Sequence, residues 1–136
     1  MAEPDARIVH HDLCFGCGQA NLFGLQLELE RSGDGVEGRF FVKQDHQGPP
    51  GYAHGGVIAA ALDEAMALLV FERGTFAVTA RLEVDLVAPV PVGTFVRVRA
   101  GLEREAERTL ELSAEALGED GGRLAAARGT FVRVDI

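Results

Sequence analysis

Positive charge is the scarce commodity in this chain. Thirteen Lys and Arg stand against 21 Asp and Glu, giving a formal net charge of −8 and a pI near 4.9. That balance excludes a general basic surface for nucleic acid or for an anionic membrane, and leaves room only for a local basic pocket. Cysteine is nearly absent too: Cys14 and Cys17 are the whole complement, too few for a disulfide framework. No apolar run is long enough to span a bilayer, because the longest, VIAAALDEAMALLVF (57–71), is interrupted by Asp63 and Glu64. The opening MAEPDARIVHH lacks the apolar stretch of a secretory signal. The expectation is a cytoplasmic protein with one domain over residues 1–136, whose length and 47% hydrophobic content fit a real core, though a thin one for a helix buried on two sides.

What the chain does have is concentrated in residues 48–66, GPPGYAHGGVIAAALDEAM: a Pro/Gly-rich turn, a His-Gly-Gly step and an apolar helix carrying carboxylates. The spacing predicts a helix over about 55–72. At about 100° per residue Ile58, Ala61, Leu62, Ala65, Leu68 and Leu69 share one face, the one expected to lie on a sheet. The other face, Ala59, Ala60, Asp63, Met66, Ala67 and Val70, is scarcely more polar, so the helix should be covered on both sides. Asp63 therefore sits among small apolar neighbours, whereas Glu64 reads as an ordinary exposed carboxylate. A helix opening on two glycines presents unpaired backbone N–H groups to a developing oxyanion. Together with Asp63 this points to acyl chemistry.

Geometry limits how that pair can act. Asp63 lies eight residues beyond Gly55, or about 12 Å along the axis, so one helix cannot present both groups to a single carbonyl carbon. Two antiparallel helices related by a twofold axis can, with two equivalent sites per dimer. The activity requires a homodimer at least; dimer and tetramer both stay open.

Around the helix the chain reads as strands. GLQLELER (24–31) alternates, Gly33-Asp34-Gly35 marks a turn, and VEGRFFV (36–42) returns as the second arm of a hairpin. Segments 76–90, 94–104, 108–118 and 123–136 follow, separated by Pro/Gly turns. In the first of these, Val78, Ala80, Leu82, Val84 and Leu86 are expected on one side and Thr79, Arg81, Glu83 and Asp85 on the other. Poor alternation over 125–129 suggests a bulge there. After an N-terminal coil of 1–23, the expected architecture is α+β: an antiparallel six-stranded sheet wrapped around one long central helix.

His54-Gly55-Gly56, Asp63, Val78-Thr79-Ala80 and VDLVAPVPVG (84–93) resemble the hotdog-fold acyl-CoA thioesterases of the PaaI-like type, and QGPPGYAHGG (47–56) is similar to thioesterase-superfamily members that hydrolyse fatty acyl-CoA. The resemblance runs from about residue 14 to the C-terminus. It implies a catalytic set of Asp63, Gly55, His54, Thr79 and Gln47, with Gly56, Ala59 and Met66 as substrate contacts. The Gly55 N–H would polarise the thioester carbonyl. Asp63 of the partner subunit would serve as general base or as nucleophile. Thr79 would hold the water or the carboxylate. His54 would shape the turn or bond the substrate. Relatives often carry Asn or Gln six residues before that His; here the position is Gly48, with Gln47 beside it. For Thr79 and His54 a purely structural part, strand packing or loop fixing, remains the alternative. Burial should raise the Asp63 pKa and an opposing helix N-terminus should lower it.

Cys14-x-x-Cys17 beside His10 and His11 invites a metal reading, but there is no second Cys pair and no H-x₃₋₅-H. The expectation is no metal and no cofactor, with both thiols in a compact Gly-rich loop packed against the first strand. Some members of the resembling group carry a similar Cys-Phe-Gly-Cys-Gly opening. The leading function is hydrolysis of acyl-CoA, with acyl carrier protein thioesters not distinguished. A hotdog hydratase or dehydratase and a non-catalytic acyl-CoA-binding protein are the alternatives. Chain length, head group and the arginine that would meet the CoA phosphates, among Arg81, Arg97, Arg99, Arg104, Arg108 and Arg128, are not encoded legibly.

Overall fold

The computed structural model describes residues 7–135. One helix, α1 (Gly55–Glu72), lies against a seven-stranded, wholly antiparallel sheet formed by β1 (Arg7–Ile8), β2 (Glu28–Ser32), β3 (Gly35–Phe41), β4 (Ala77–Leu86), β5 (Phe95–Glu105), β6 (Thr109–Leu117) and β7 (Arg123–Arg133). This is the expected hotdog arrangement, with one short strand more than the alternation pattern indicates. Two residues give no periodicity to read, so β1 was invisible in what looked like an N-terminal coil.

The strand order is β1-β2-β3-β5-β6-β7-β4. The chain crosses from β3 through α1 to the far edge, lays down β4 beside β7, and returns to pair β5 with β3. Ser32 and Gly35 close the first hairpin around a two-residue turn in which Gly33 takes φ 59°, a conformation glycine adopts without penalty.

The helix forms where its periodicity predicts. Ile58, Ala61, Leu62, Ala65, Leu68 and Leu69 are all buried, joined by Met66 and Val70 from the other face. They pack on Val96 and Val98 of β5, Leu110 and Leu112 of β6 and Phe131 of β7, one continuous core. Gly74 at φ 77° ends the helix, its N–H bonded back to the Phe71 carbonyl.

The strand irregularities fall elsewhere than expected. Residues 125–129 keep regular register with both neighbours. Leu124, just before them, is the extra residue against β6, and Ala80 is the extra residue of β4 against β7. The Ala80 bulge reverses which side chains face the helix. Upstream of it Ala77 and Thr79 point inward, and downstream Val84 and Leu86 do. The single alternating set running from Val78 to Leu86 is thus corrected: the set changes parity at Ala80.

Candidate active site

His54 is the N-cap of α1. Its backbone is extended (φ −65°, ψ 135°) and its Nδ1 accepts from the Gly56 N–H at 2.9 Å. The Val57 N–H bonds the His54 carbonyl at 2.9 Å. Among the described residues nothing accepts from the Gly55 N–H, which leaves this first amide of an 18-residue helix as the open donor at its positive end. The side chain of Leu86 closes over Gly55, where a Cβ would lie 2.8 Å from Cδ1 of Leu86. A side chain at this position would have to push the tip of that exposed leucine aside.

The loop before the helix is built by its own hydrogen bonds. The Gln47 Oε1 accepts from the Gly51 N–H at 2.6 Å, the Gly48 N–H bonds the Tyr52 carbonyl at 2.9 Å, and the His54 N–H bonds the His46 carbonyl at 2.8 Å. The Gln47 side-chain oxygen is therefore occupied in holding the turn that carries Tyr52. His46, which sequence reasoning missed, anchors the loop from below. It is buried, its Nδ1 accepts from the Lys43 N–H at 3.1 Å, and its Nε2 donates to the Gly24 carbonyl at 3.3 Å. The Nδ1 contact needs the neutral ring, and burial holds its pKa below the ordinary imidazole value.

Asp63 projects from the middle of α1, half-buried. Thr79 Oγ1 donates to its Oδ1 at 2.7 Å. Burial pushes the Asp63 carboxyl above its ordinary value, the Thr79 hydroxyl opposes this, and the neighbouring Glu64 charge reinforces it. Thr79 and Asp63 meet only because of the Ala80 bulge. Ala59 is half-buried and Gly56 exposed on the same helix. Met66, expected to touch substrate, is fully buried instead, its Cε and Sδ filling the space a side chain at Gly129 would need. Its place is the core under β7.

Glu64 is not the exposed carboxylate that the sequence suggested. One position on from Asp63 it turns about 100° away and meets the N-terminal loop, where His10 Nδ1 lies 3.0 Å and Cys14 Sγ 3.5 Å from its Oε2. Among the described residues His10, Cys14, Cys17 and Glu64 are the set with metal-ligating spacing, all four ligand atoms lying within 4.8 Å of one another. The loop thus packs on the helix as well as on the segment before β2, where the Leu25 and Leu27 N–H groups bond the Phe15 and Gly16 carbonyls. No local signal pointed to Glu64, which is separated from the cysteines by about fifty residues of chain.

Comparisons with known proteins agree with this fold. The family model of the thioesterase superfamily matches residues 50–125. The acyl-coenzyme A thioesterase THEM4 of Rattus norvegicus is 32% identical over 90 residues, 65% of this chain and 39% of that protein. The chain spans about two fifths of the length of the curated relatives it matches. Among solved structures, a variant of the phenylacetic acid degradation protein PaaI from Thermus thermophilus is 31% identical with a TM-score of 0.74, covering 81% of this chain and 95% of that one. A hypothetical thioesterase from Streptococcus pneumoniae, solved with coenzyme A, shares the fold at a TM-score of 0.75 and 18% identity, covering 79% of this chain and 85% of that one.

Proposed function

The chain belongs to the thioesterase superfamily, and on that premise we propose that it hydrolyses acyl-CoA to free acid and CoA at sites shared between two copies of itself. The observation that carries the reading is the pairing of an open Gly55 N–H with a half-buried Asp63 whose Oδ1 is held by Thr79. The relative named for acyl-coenzyme A hydrolysis and the fold relative solved with coenzyme A support the substrate class.

In this reading the thioester carbonyl lies against the Gly55 N–H of one subunit, which takes up the developing negative charge with the helix dipole behind it. In the partner subunit Thr79 occupies Oδ1 of its own chain's Asp63, leaving Oδ2 to accept a proton from water. The water oxygen bonds to the carbonyl carbon, the tetrahedral intermediate expels the CoA thiolate, and the proton held by Asp63 passes to that sulfur. His54 organises the donor loop by capping Gly56, so that Gly55 remains free. Gln47 shapes the same loop. Gly56 and Ala59 border the acyl path.

Burial favours the shared site. β4 is one edge of the sheet, and Leu82 and Leu86 within it and Phe76 and Val87 flanking it are between 37% and 59% exposed. An edge strand with unpaired backbone and apolar side chains is what a second copy would cover. No helix among the described residues is long and apolar enough to cross a membrane. The two free cysteines are compatible with a reducing cytoplasmic setting.

The deciding experiment is thiol release from acetyl- through palmitoyl-CoA, phenylacetyl-CoA and benzoyl-CoA, with wild type and Asp63→Asn compared. Loss of about 10²–10⁴-fold in kcat is expected for the variant, the usual worth of a positioned base. Saturable acyl-CoA binding without thiol release by the wild type would make the protein a binding module.

A further inference from the structure

We propose that His10, Cys14, Cys17 and Glu64 form a closed four-ligand site for a zinc-class divalent cation, which fastens the N-terminal segment to α1. The ligand atoms are His10 Nδ1, the two cysteine Sγ atoms and Glu64 Oε2. Their separations are 3.0 Å for His10 to Glu64, 3.5 Å for Cys14 to Glu64, 3.7 Å for Cys14 to His10 and 3.6 Å for Cys17 to His10. A tetrahedral zinc with bonds of about 2.3 Å to sulfur and 2.0–2.2 Å to nitrogen or oxygen needs edges of about 3.3–3.8 Å between such ligands. These four spacings, from 3.0 to 3.7 Å, overlap that range, and all six lie within 4.8 Å. Ordinary van der Waals packing does not require four different donor side chains from two distant segments to converge in this way.

Three further features make it a built site. Cys17 is fully buried, and the Glu64 side chain is only 12% exposed. The His10 backbone N–H donates to Cys17 Sγ at 3.2 Å, a hydrogen bond that stabilises a thiolate ligand. Gly16, between the cysteines, has no room for a side chain, since a Cβ there would lie 2.4 Å from Cγ and Cδ of Glu64. The glycine of Cys-Phe-Gly-Cys lets the carboxylate close onto the loop. With no cation, the same pocket confines two thiols and a carboxylate together. Two thiolates, one carboxylate and a neutral imidazole suit a dication of intermediate softness better than calcium or magnesium, which take oxygen ligands. Four protein ligands leave no open position, so the metal's part is architectural. Filling the site releases both thiol protons and the Nδ1 proton that His10 shares with Glu64 to solvent, and needs no oxidant.

The test is metal content of the full chain purified in reducing buffer without chelator. We expect one zinc per chain by mass spectrometry of the elements. Both thiols should stay unreactive toward a thiol reagent until the zinc is released. Cobalt substitution should give the sulfur-to-metal charge-transfer band and intense visible bands of a tetrahedral thiolate centre. Cys14→Ser, Cys17→Ser and Glu64→Gln should lose the metal, as should Gly16→Ala, which changes no ligand residue but pushes the Glu64 carboxylate out of position. His11→Ala should keep it. Wild-type protein that stays metal-free after dialysis against zinc, with both thiols freely reactive, would overturn the site. So would a Cys14–Cys17 disulfide that persists under reduction. Neither result depends on whether the protein hydrolyses thioesters.

Discussion

Thr79 is a short side chain with a large assigned effect. Its hydroxyl is 2.7 Å from Asp63 Oδ1, and a hydrogen bond to a charged group is worth about 1.5–3 kcal/mol. If that bond orients the base during proton transfer, Thr79→Ala should lower kcat about 10- to 100-fold with little change in KM. Thr79→Ser should recover most of the loss. A variant with wild-type kcat would return Thr79 to mere strand packing. Asp63 was legible in the sequence because alanines surround it; its contact with Thr79 was not, since strict alternation sets Thr79 beside Arg81 and Glu83, facing away from the helix. His46 offers a second test at this scale. Its folded pKa lies below the ordinary 6.5, so the unfolded chain takes up a proton that the native state resists. Its contribution is intact above that value and is lost as pH falls through it toward the folded pKa. His46→Asn should flatten the fall in urea midpoint between about pH 7.5 and 5.5 relative to wild type. Parallel curves would sink that assignment.

At the scale of the element, α1 was the most legible part of the chain. Its apolar spacing, glycine start and length all point the same way, and Gly55–Glu72 coincides with the expected 55–72. The bulges were not legible, because an extra residue in a ladder depends on how two distant strands align. The polar partner of the N-terminal Cys loop was illegible for a similar reason: Glu64 comes from the helix. The cap of α1 allows a prediction that separates structure from chemistry. His54→Ala removes the acceptor for the Gly56 N–H and should cost about 1 kcal/mol of stability by chemical denaturation. Asn at position 54 can accept the same bond. If His54 acts only as the cap, His54→Asn should restore both stability and turnover. Restored stability with turnover still lost would assign the imidazole a direct contact with substrate.

For the whole molecule, the hydrophobic pattern sufficed to anticipate a sheet wrapped on one helix, since few other packings bury a two-sided helix with this many strands. The sharing of each site between copies follows from the helix length separating Gly55 from Asp63, and subunit mixing tests it. Gly55→Pro deletes the N–H at the first helical position, where the backbone accepts proline once the Leu86 side chain moves aside, while Asp63→Asn deletes the base. Each homodimer should be inactive. Mixed dimers contain one site with both groups intact and should regain activity, which sites confined to one chain could never do. Leu82→Arg on the exposed β4 edge should shift the protein to monomer in sedimentation and abolish turnover together.

One more consequence attaches to the loop that carries the open amide. The chain contains no tryptophan and a single tyrosine. That residue, Tyr52, lies between the Gln47 turn and His54, 42% exposed, with its backbone bridged to Pro91. Its emission comes from this loop alone, with no indole to mask it. The native protein therefore carries its own fluorophore beside the proposed acyl pocket, and rapid-mixing fluorescence can time the loop's response to a ligand without any label.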